Sequence, residues 1–191
     1  MHRYGTILAL CGLALALPCH VHADTNAFEK SVQRSDLSNE NSGVVAGRVP
    51  AWLVGTWVLI RCDNVYPDGR LVELYGSNPQ GLWFIDAQGH YMMQMVRAER
   101  EPFATNDKSK GTPDEYRAAS LGSNAHYGWV SVDGAQLRTH ITHASYPSWD
   151  NRDGKTTFVL QGDLLTYSVD KPSSGSAEGA RGVVVWRRVA I

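Results

Sequence analysis

His90, His126, His140 and His143 are the side chains of this sequence whose type could move a proton near neutral pH, because imidazole titrates there. His140 and His143 stand three apart in a run that reads as a strand. Strand side chains alternate faces, so the two are expected to point oppositely and to chelate no common metal unless a bulge intervenes. His90 falls at a turn, and neither a His-Glu-x-x-His pattern nor a carboxylate-flanked triplet occurs, so no metal site is expected. His140 and His126 stand as candidate general bases, since an enclosed interior would desolvate the ring and a neighbouring Tyr or Asp could set its tautomer. The competing reading of each is a hydrogen-bonded structural histidine. Ser145 precedes Tyr146-Pro147 with no Gly-x-Ser-x-Gly elbow around it, and a serine hydrolase is not expected.

The stretch Tyr91-Met92-Met93-Gln94-Met95-Val96-Arg97 is the richest for binding, because methionine is adaptable and polarizable and suits irregular apolar ligands. In a strand, Tyr91, Met93, Met95 and Arg97 share one face while Met92 and Gln94 share the other. An arginine at the rim of an apolar cavity would orient a carboxylate or phenolate, although an ordinary exposed arginine at a strand end explains Arg97 as well. Tyr127 and Trp129 supply aromatic surface for the same ligand, and Trp83, Trp149 and Tyr146 add more, most of it expected in the core.

The elements that must position these residues are strands. From Thr56 onward, short β runs alternate with turn signals such as Pro67-Asp68-Gly69, Ala87-Gln88-Gly89, Asp133-Gly134, Asp153-Gly154 and Gly162-Asp163, the pattern of an all-β sandwich or barrel. The runs are Thr56 to Tyr66, Leu71 to Tyr75, Gly81 to Asp86, His90 to Arg97, Ala125 to Val132, Ala135 to Tyr146, Thr156 to Gln161, Leu164 to Val169 and Gly182 to Val189. Trp57-Val58-Leu59-Ile60 and Val183-Val184-Val185-Trp186 are apolar on both faces. A sheet wet on one side would alternate cleanly, so these runs suit a closed barrel with a plugged end or an outer cover; a two-sheet sandwich is the alternative. One helix interrupts the strands. Thr112-Pro113-Asp114-Glu115 forms a capping box with proline at the first helical position, and Gly122 ends the helix after Leu121. Tyr116, Ala119 and Ser120 form a face that could lie on the barrel as a brace or a lid. Cys62, in the first strand, reads as a buried small hydrophobe rather than a nucleophile.

Leu53-Val54-Gly55-Thr56-Trp57, Pro79-Gln80-Gly81-Leu82, Asp86 to His90 with Tyr91-Met92, Gly111-Thr112-Pro113-Asp114-Glu115-Tyr116-Arg117, Pro147-Ser148-Trp149 and Val185-Trp186-Arg187-Arg188-Val189 follow one another along the chain. In order and approximate spacing they resemble the bacterial and fungal lipocalin-like domain family, over nearly all of Leu53 to Ile191. The resemblance implies an all-β fold, an antiparallel barrel of about eight or nine strands with one short inserted helix and a central cavity. It also implies a closure device at Gly55 and Trp57, in which Arg187 or Arg188 of the last strand lies across the Trp57 ring, a cation–π contact of about 0.5–2 kcal/mol. His140 matches a position where the family often has histidine. His126 and Val130 stand where relatives often carry tyrosine, so the resemblance implies fold and cavity rather than chemistry.

Met1-His2-Arg3, the apolar run Ile7 to Leu17 and the small residues of Val21-His22-Ala23 read as a secretory signal peptide over 1–23. The run is shorter than the roughly 20 residues that span a bilayer, and Leu10 and Pro18 precede Cys11 and Cys19 where a lipid-attachment site would have a small residue. Residues 24–50, rich in Asn, Ser, Asp and Glu, read as a flexible arm, and 51–191 as the barrel domain. The formal charge of −1 without a Lys/Arg cluster argues against a nucleic-acid partner, and no later segment is apolar enough to span a membrane.

Two functions are expected from these residues. One is an exported, periplasmic or secreted, non-catalytic binder of a small apolar or amphipathic molecule, held between the methionine strand and Tyr127 to Trp129, with no cofactor. The other is a small-molecule isomerase or cyclase in which His140, with Tyr91 or His126, serves as general acid and base. A filled barrel acting only as a structural module is the third.

Overall fold

The structure, a computed structural model, describes residues 47–189; the leader read at 1–23 and the arm residues 24–46 lie outside them. The strands are β1 (Gly55–Val65), β2 (Leu71–Glu73), β3 (Gln80–Ile85), β4 (His90–Val96), β5 (Ser123–Asp133), β6 (Gln136–Ala144), β7 (Arg152–Gln161), β8 (Leu164–Val169) and β9 (Arg181–Arg188), with one helix, α1 (Pro113–Leu121), between β4 and β5. Eight of them run β1-β3-β4-β5-β6-β7-β8-β9 around a closed antiparallel barrel, and β2 adds to the outer half of β1. Closure comes from β1 pairing with β9, Trp57 opposite Arg188 and Val65 opposite Arg181. That seam excludes the two-sheet sandwich.

Expected and observed strands agree in number and order and differ at their ends. β7 starts at Arg152, earlier than its apolar pattern, because the polar residues Arg152 to Gly154 pair with Ile141 to Thr139, and a ladder of backbone hydrogen bonds needs no apolar side chains. β2 stops at Glu73, where the chain turns through Gly76.

Turn chemistry sets the register of the strands that matter most. The Asp86 carboxylate accepts from the Gln88 and His90 amides at 2.9 Å each, which folds β3 back onto β4. Gly89 in that turn has φ +90°, and a Cβ there would sit 2.5 Å from the Val130 carbonyl oxygen; only glycine allows the turn to pack on β5.

The closed end of the barrel is built by residues 48–57. Arg48 bridges to Val132 of β5, Leu53 folds back to bond its amide to the Pro50 carbonyl at 2.9 Å, and the Trp57 indole donates to the Leu53 carbonyl at 2.9 Å. Leu53 and Trp57 are completely buried, and Trp52 packs on Phe158 with ring centroids 5.3 Å apart. Above this floor the core is aromatic. The Trp83 ring meets Trp186 at 5.7 Å, Tyr91 at 6.2 Å and Tyr167 at 6.3 Å, the last two edge to face, a geometry worth about 0.5–1.5 kcal/mol per pair beyond burial.

Helix α1 forms as its capping box dictates. Thr112 and Glu115 exchange hydrogen bonds, and the Gly122 amide returns to the Ala118 carbonyl. It buries none of its residues. Tyr116 turns toward the preceding loop, donating to the Lys108 carbonyl at 2.6 Å and accepting from the Gly111 amide at 2.9 Å, with Phe103 against its ring. The helix therefore braces residues 103–111, and its end is tied to β4 by the Arg97 amide bonding to the Gly122 carbonyl at 3.0 Å.

Candidate functional site

Strand alternation divides the residues singled out in the sequence between two faces of one wall. On β4, Tyr91, Met93 and Met95 are buried inside, while Met92 and Gln94 face out. On β5, Asn124, His126 and Val130 turn inward and Tyr127 is exposed. Register completes the inner set: Trp57 stands opposite Trp83, Trp83 opposite Met93, and Met93 opposite His126. Met95 stands opposite Asn124. The inner face thus combines two thioethers and several aromatic rings with a few polar atoms.

The polar centre of this face is a phenol–imidazole couple. The Tyr91 hydroxyl lies 2.8 Å from His126 Nδ1, with the rings edge to face at 5.4 Å. Burial pushes His126 down to about 4, so its ring is neutral at pH 7. Burial raises the Tyr91 phenol well above its ordinary range, with a contribution from Tyr167. The two share one neutral hydrogen bond whose direction follows the tautomer. Trp149, on the turn Pro147–Trp149 after β6, lies edge to face against His126 at 5.9 Å and against Tyr146 at 5.7 Å.

Two further tyrosines line the interior. Tyr167 is raised by burial despite a hydrogen bond from the Trp186 indole. Tyr75 is pushed up to about 12 by burial and the neighbouring Cys62, against the opposing pull of Arg97 and a hydrogen bond with Asn124. Cys62 is itself buried and pushed up to about 12 by desolvation and Asp63, which leaves it a thiol without nucleophilic character at neutral pH. Among the described residues three buried side-chain atoms have no hydrogen-bond partner: Trp83 Nε1, Asn124 Oδ1 and Asn64 Oδ1.

Sequence reasoning had not singled out Trp83, Asn124, Tyr75 and Tyr167 as binding residues. Only the register reveals them, because each owes its inward position to the strand it pairs with. Arg97, the residue after β4, follows in the phase of the inner face but is exposed, and its charge reaches Tyr75.

The outer face gathers the other histidines. Cross-strand partners pass from Tyr127 opposite His143 to Gly128 opposite Ile141, so Thr142 is an extra residue in β6. This bulge brings His140 and His143 to the same face, opposite Trp129 and Tyr127. Gly128 makes it possible, since a side chain there would collide with the His140 carbonyl. Each outer imidazole has its own carboxylate: His90 with Asp86 at 2.6 Å, His140 with Asp153 at 2.9 Å and His143 with Asp150 at 3.1 Å. His90 also packs on Trp129, ring centroids 3.8 Å apart. Among the described residues no group of three or more His, Cys, Asp or Glu side chains is arranged to hold a metal ion. Beside them an open groove of about 500 Å3 is lined by Thr56, Phe84, His90, Met92 and Tyr127. Tyr127 and Trp129 thus stand on the opposite face of the wall from Tyr91, Met93 and Met95.

At the seam, Gly55 takes φ +125°, and the Arg188 guanidinium donates to the Val54 carbonyl at 2.9 Å and the Ala51 carbonyl at 3.4 Å. Arg187 points away, 3.7 Å from Asp163 at the surface. Arg188 thereby ties the last strand to the loop that holds Leu53 under Trp57.

A family model described as a lipocalin-like domain matches residues 54–189. Among solved structures, the chain is similar to a lipocalin-like protein from Bacteroides uniformis, at 14% identity over 72% of this chain and 99% of the other, with a TM-score of 0.39. It is also similar to an uncharacterized protein from Bacteroides eggerthii, at 15% identity over 71% and 98%, with a TM-score of 0.36. No curated protein matches the chain.

Proposed function

Because the chain belongs to the lipocalin-like domain family, we propose that it binds a small apolar or amphipathic molecule inside its barrel and releases it unchanged. The observation that carries this reading is the inner face of β4, where Tyr91, Met93 and Met95 stand at successive inward positions against Trp83 and His126. A wall of thioether and aromatic groups with few polar atoms is what an adaptable apolar site uses. The site residues in this reading are Tyr91, Met93, Met95, Trp83 and His126, with Arg97 at the mouth. Gly55, Trp57 and Arg188 serve closure. Native mass spectrometry of the protein purified from its own host, followed by solvent extraction, tests it. A stoichiometric small-molecule adduct is expected. Bare protein, together with no shift in melting temperature across lipids and aromatic acids, refutes it.

Export belongs to the same proposal and is supported by the leader-like pattern of Met1 to Ala23. Among the described residues no helix is long and apolar enough to cross a membrane. The amino-terminal sequence of the mature protein, and its recovery in the periplasmic or extracellular fraction, check that assignment. Asp24 as first residue is expected.

One observation favours the catalytic alternative: a neutral imidazole within 2.8 Å of a phenol in a desolvated interior is a competent proton-transfer couple. In that reading His126 and Tyr91 exchange the proton, and His140, paired with Asp153 on the outer face, does not meet the substrate. Tyr91→Phe would then abolish conversion of the extracted molecule while preserving its binding.

A further inference from the structure

β4 carries three methionines, and strand alternation sends them to opposite faces of the wall. Met93 and Met95 are 4% and 5% exposed on the inner face, while Met92 is 63% exposed on the outer one. Met92 stands opposite Phe84 of β3 and Tyr127 of β5. Those two are themselves half-exposed, and all three border the open groove. No Lys, Arg, Asp or Glu occupies an outward position of β3 or β4, or of the part of β5 that pairs with β4. The centre of this face is therefore apolar, uncharged and reachable from solvent, and its most exposed large apolar side chain is a thioether.

A thioether is the group in this row that a hydroperoxide can change. The sulfur lone pair attacks one peroxide oxygen, the O–O bond breaks, and a proton reaches the departing oxygen, which leaves as water or, from an organic hydroperoxide, as an alcohol. Sulfur loses two electrons and the peroxide gains them. The sulfoxide is polar and chiral, and at Met92 it sets an acceptor oxygen between Phe84 and Tyr127 in the row. The competing thiol among the described residues, Cys62, is buried and held protonated at neutral pH by desolvation and Asp63, so it is a poor target for peroxide. We propose that Met92 is a reversible oxidation site of the folded barrel, at which a hydroperoxide makes the outer β3–β5 face polar while Met93 and Met95 stay reduced. A dithiol, acting through a methionine sulfoxide reductase, restores the thioether; the oxygen leaves as water and the dithiol becomes a disulfide. The site lies on the outer face and does not depend on what the barrel interior holds.

Timed exposure of the folded protein to hydrogen peroxide, followed by tryptic digestion and fragmentation of the peptide that spans residues 71–97, reads the three sites separately. Exposures of 63% against 5% stand in a ratio of about 12, so Met92 should gain its oxygen at least about tenfold faster than Met93 or Met95, since susceptibility follows exposure. In protein unfolded with guanidinium the three rates should converge, which assigns the difference to the fold. The singly oxidised folded protein should keep its melting temperature, elute earlier from a hydrophobic-interaction column, and return to its original elution after treatment with a methionine sulfoxide reductase and dithiothreitol. Met92→Leu should abolish both the fast oxidation and the elution shift. Met93 or Met95 reacting as fast as Met92 in the folded protein would overturn the proposal. So would an elution position that oxidation of Met92 leaves unmoved, or a sulfoxide that the reductase cannot reach without unfolding.

Discussion

His126→Gln should flatten the loss of stability between pH 7.5 and pH 4.5. The wild-type ring has an ordinary value of 6.5 in the unfolded chain and about 4 in the folded one, lowered by burial. Its nearest neighbours are Tyr91 and Trp149, neither of which carries charge in this range. Since the unfolded state binds the proton first, stability falls as pH drops below 6.5 and stops falling below about 4. Integrating the two titrations from pH 7.5 to 4.5 gives a loss of about 2.5 kcal/mol for this one group. Glutamine retains a donor and an acceptor for the Tyr91 hydroxyl but does not titrate. Urea unfolding at both pH values, wild type against variant, reads the difference directly. The carboxylates held below their ordinary range, such as Asp150 by its bonds from His143 and Ala144, act on both proteins alike and cancel in the comparison. Equal losses in the two proteins, within about 0.5 kcal/mol, would refute the argument, as would a His126 ring proton that titrates near 6.5 in the folded state.

Gly128→Ala should cost about 2 kcal/mol or more, because the new Cβ meets the His140 carbonyl across the β6 bulge; thermal unfolding measures it, and an unchanged melting temperature would mean the bulge is not held as described. Arg188→Ala should destabilise by about 1–3 kcal/mol through the lost bonds to Val54 and Ala51, whereas Arg187→Ala, which loses one exposed and long ion pair, should stay within about 0.5 kcal/mol. Denaturant midpoints of the two variants test the asymmetry. Met93→Ala should cost about 2–5 kcal/mol and Met92→Ala, at a side chain 63% exposed, less than about 0.5 kcal/mol; the reverse order would invert the faces of β4.

How much of this was legible in the sequence depended on whether one strand or two carried the information. The Asp86–Gly89 turn, the capping box of Thr112 to Glu115 and the inward phase of Tyr91, Met93 and Met95 are local properties, and local turn chemistry and period-two alternation fix them. The inward phase of Trp83 and Asn124 is set by their pairing with Met93 and Met95, which no single run displays. Tyr127 and Trp129 show the same limit. Their aromatic character marked them as ligand-facing, but one residue of phase puts them on the opposite face from His126. The histidine pair of β6 failed a strict alternation rule because one inserted residue, Thr142, changes the parity of everything after it, and its signal in the sequence is only a glycine across the strand.

The interior polar atoms offer an energetic test between a binding barrel and a filled one. Burying the Trp83 N–H and the Asn124 carbonyl unpaired costs about 1–3 kcal/mol each, a sizeable part of the 5–15 kcal/mol that holds an ordinary domain together. A barrel kept only for its architecture would be at least as stable with leucine in place of Asn124, since replacing a buried polar group by an apolar one of similar shape is neutral or favourable. The rest of the chain follows that economy. Trp57, equally buried, spends its N–H on the Leu53 carbonyl, and the Trp186 indole reaches the Tyr167 hydroxyl. Among the described residues the exceptions are Trp83 Nε1 and Asn124 Oδ1 on the inner wall and Asn64 Oδ1, whose amide bonds the Ser174 carbonyl. The unfolding free energy of Asn124→Leu in the ligand-free protein carries the argument: the variant should be at least as stable as wild type, and a loss of stability would return this residue to the architecture of the core.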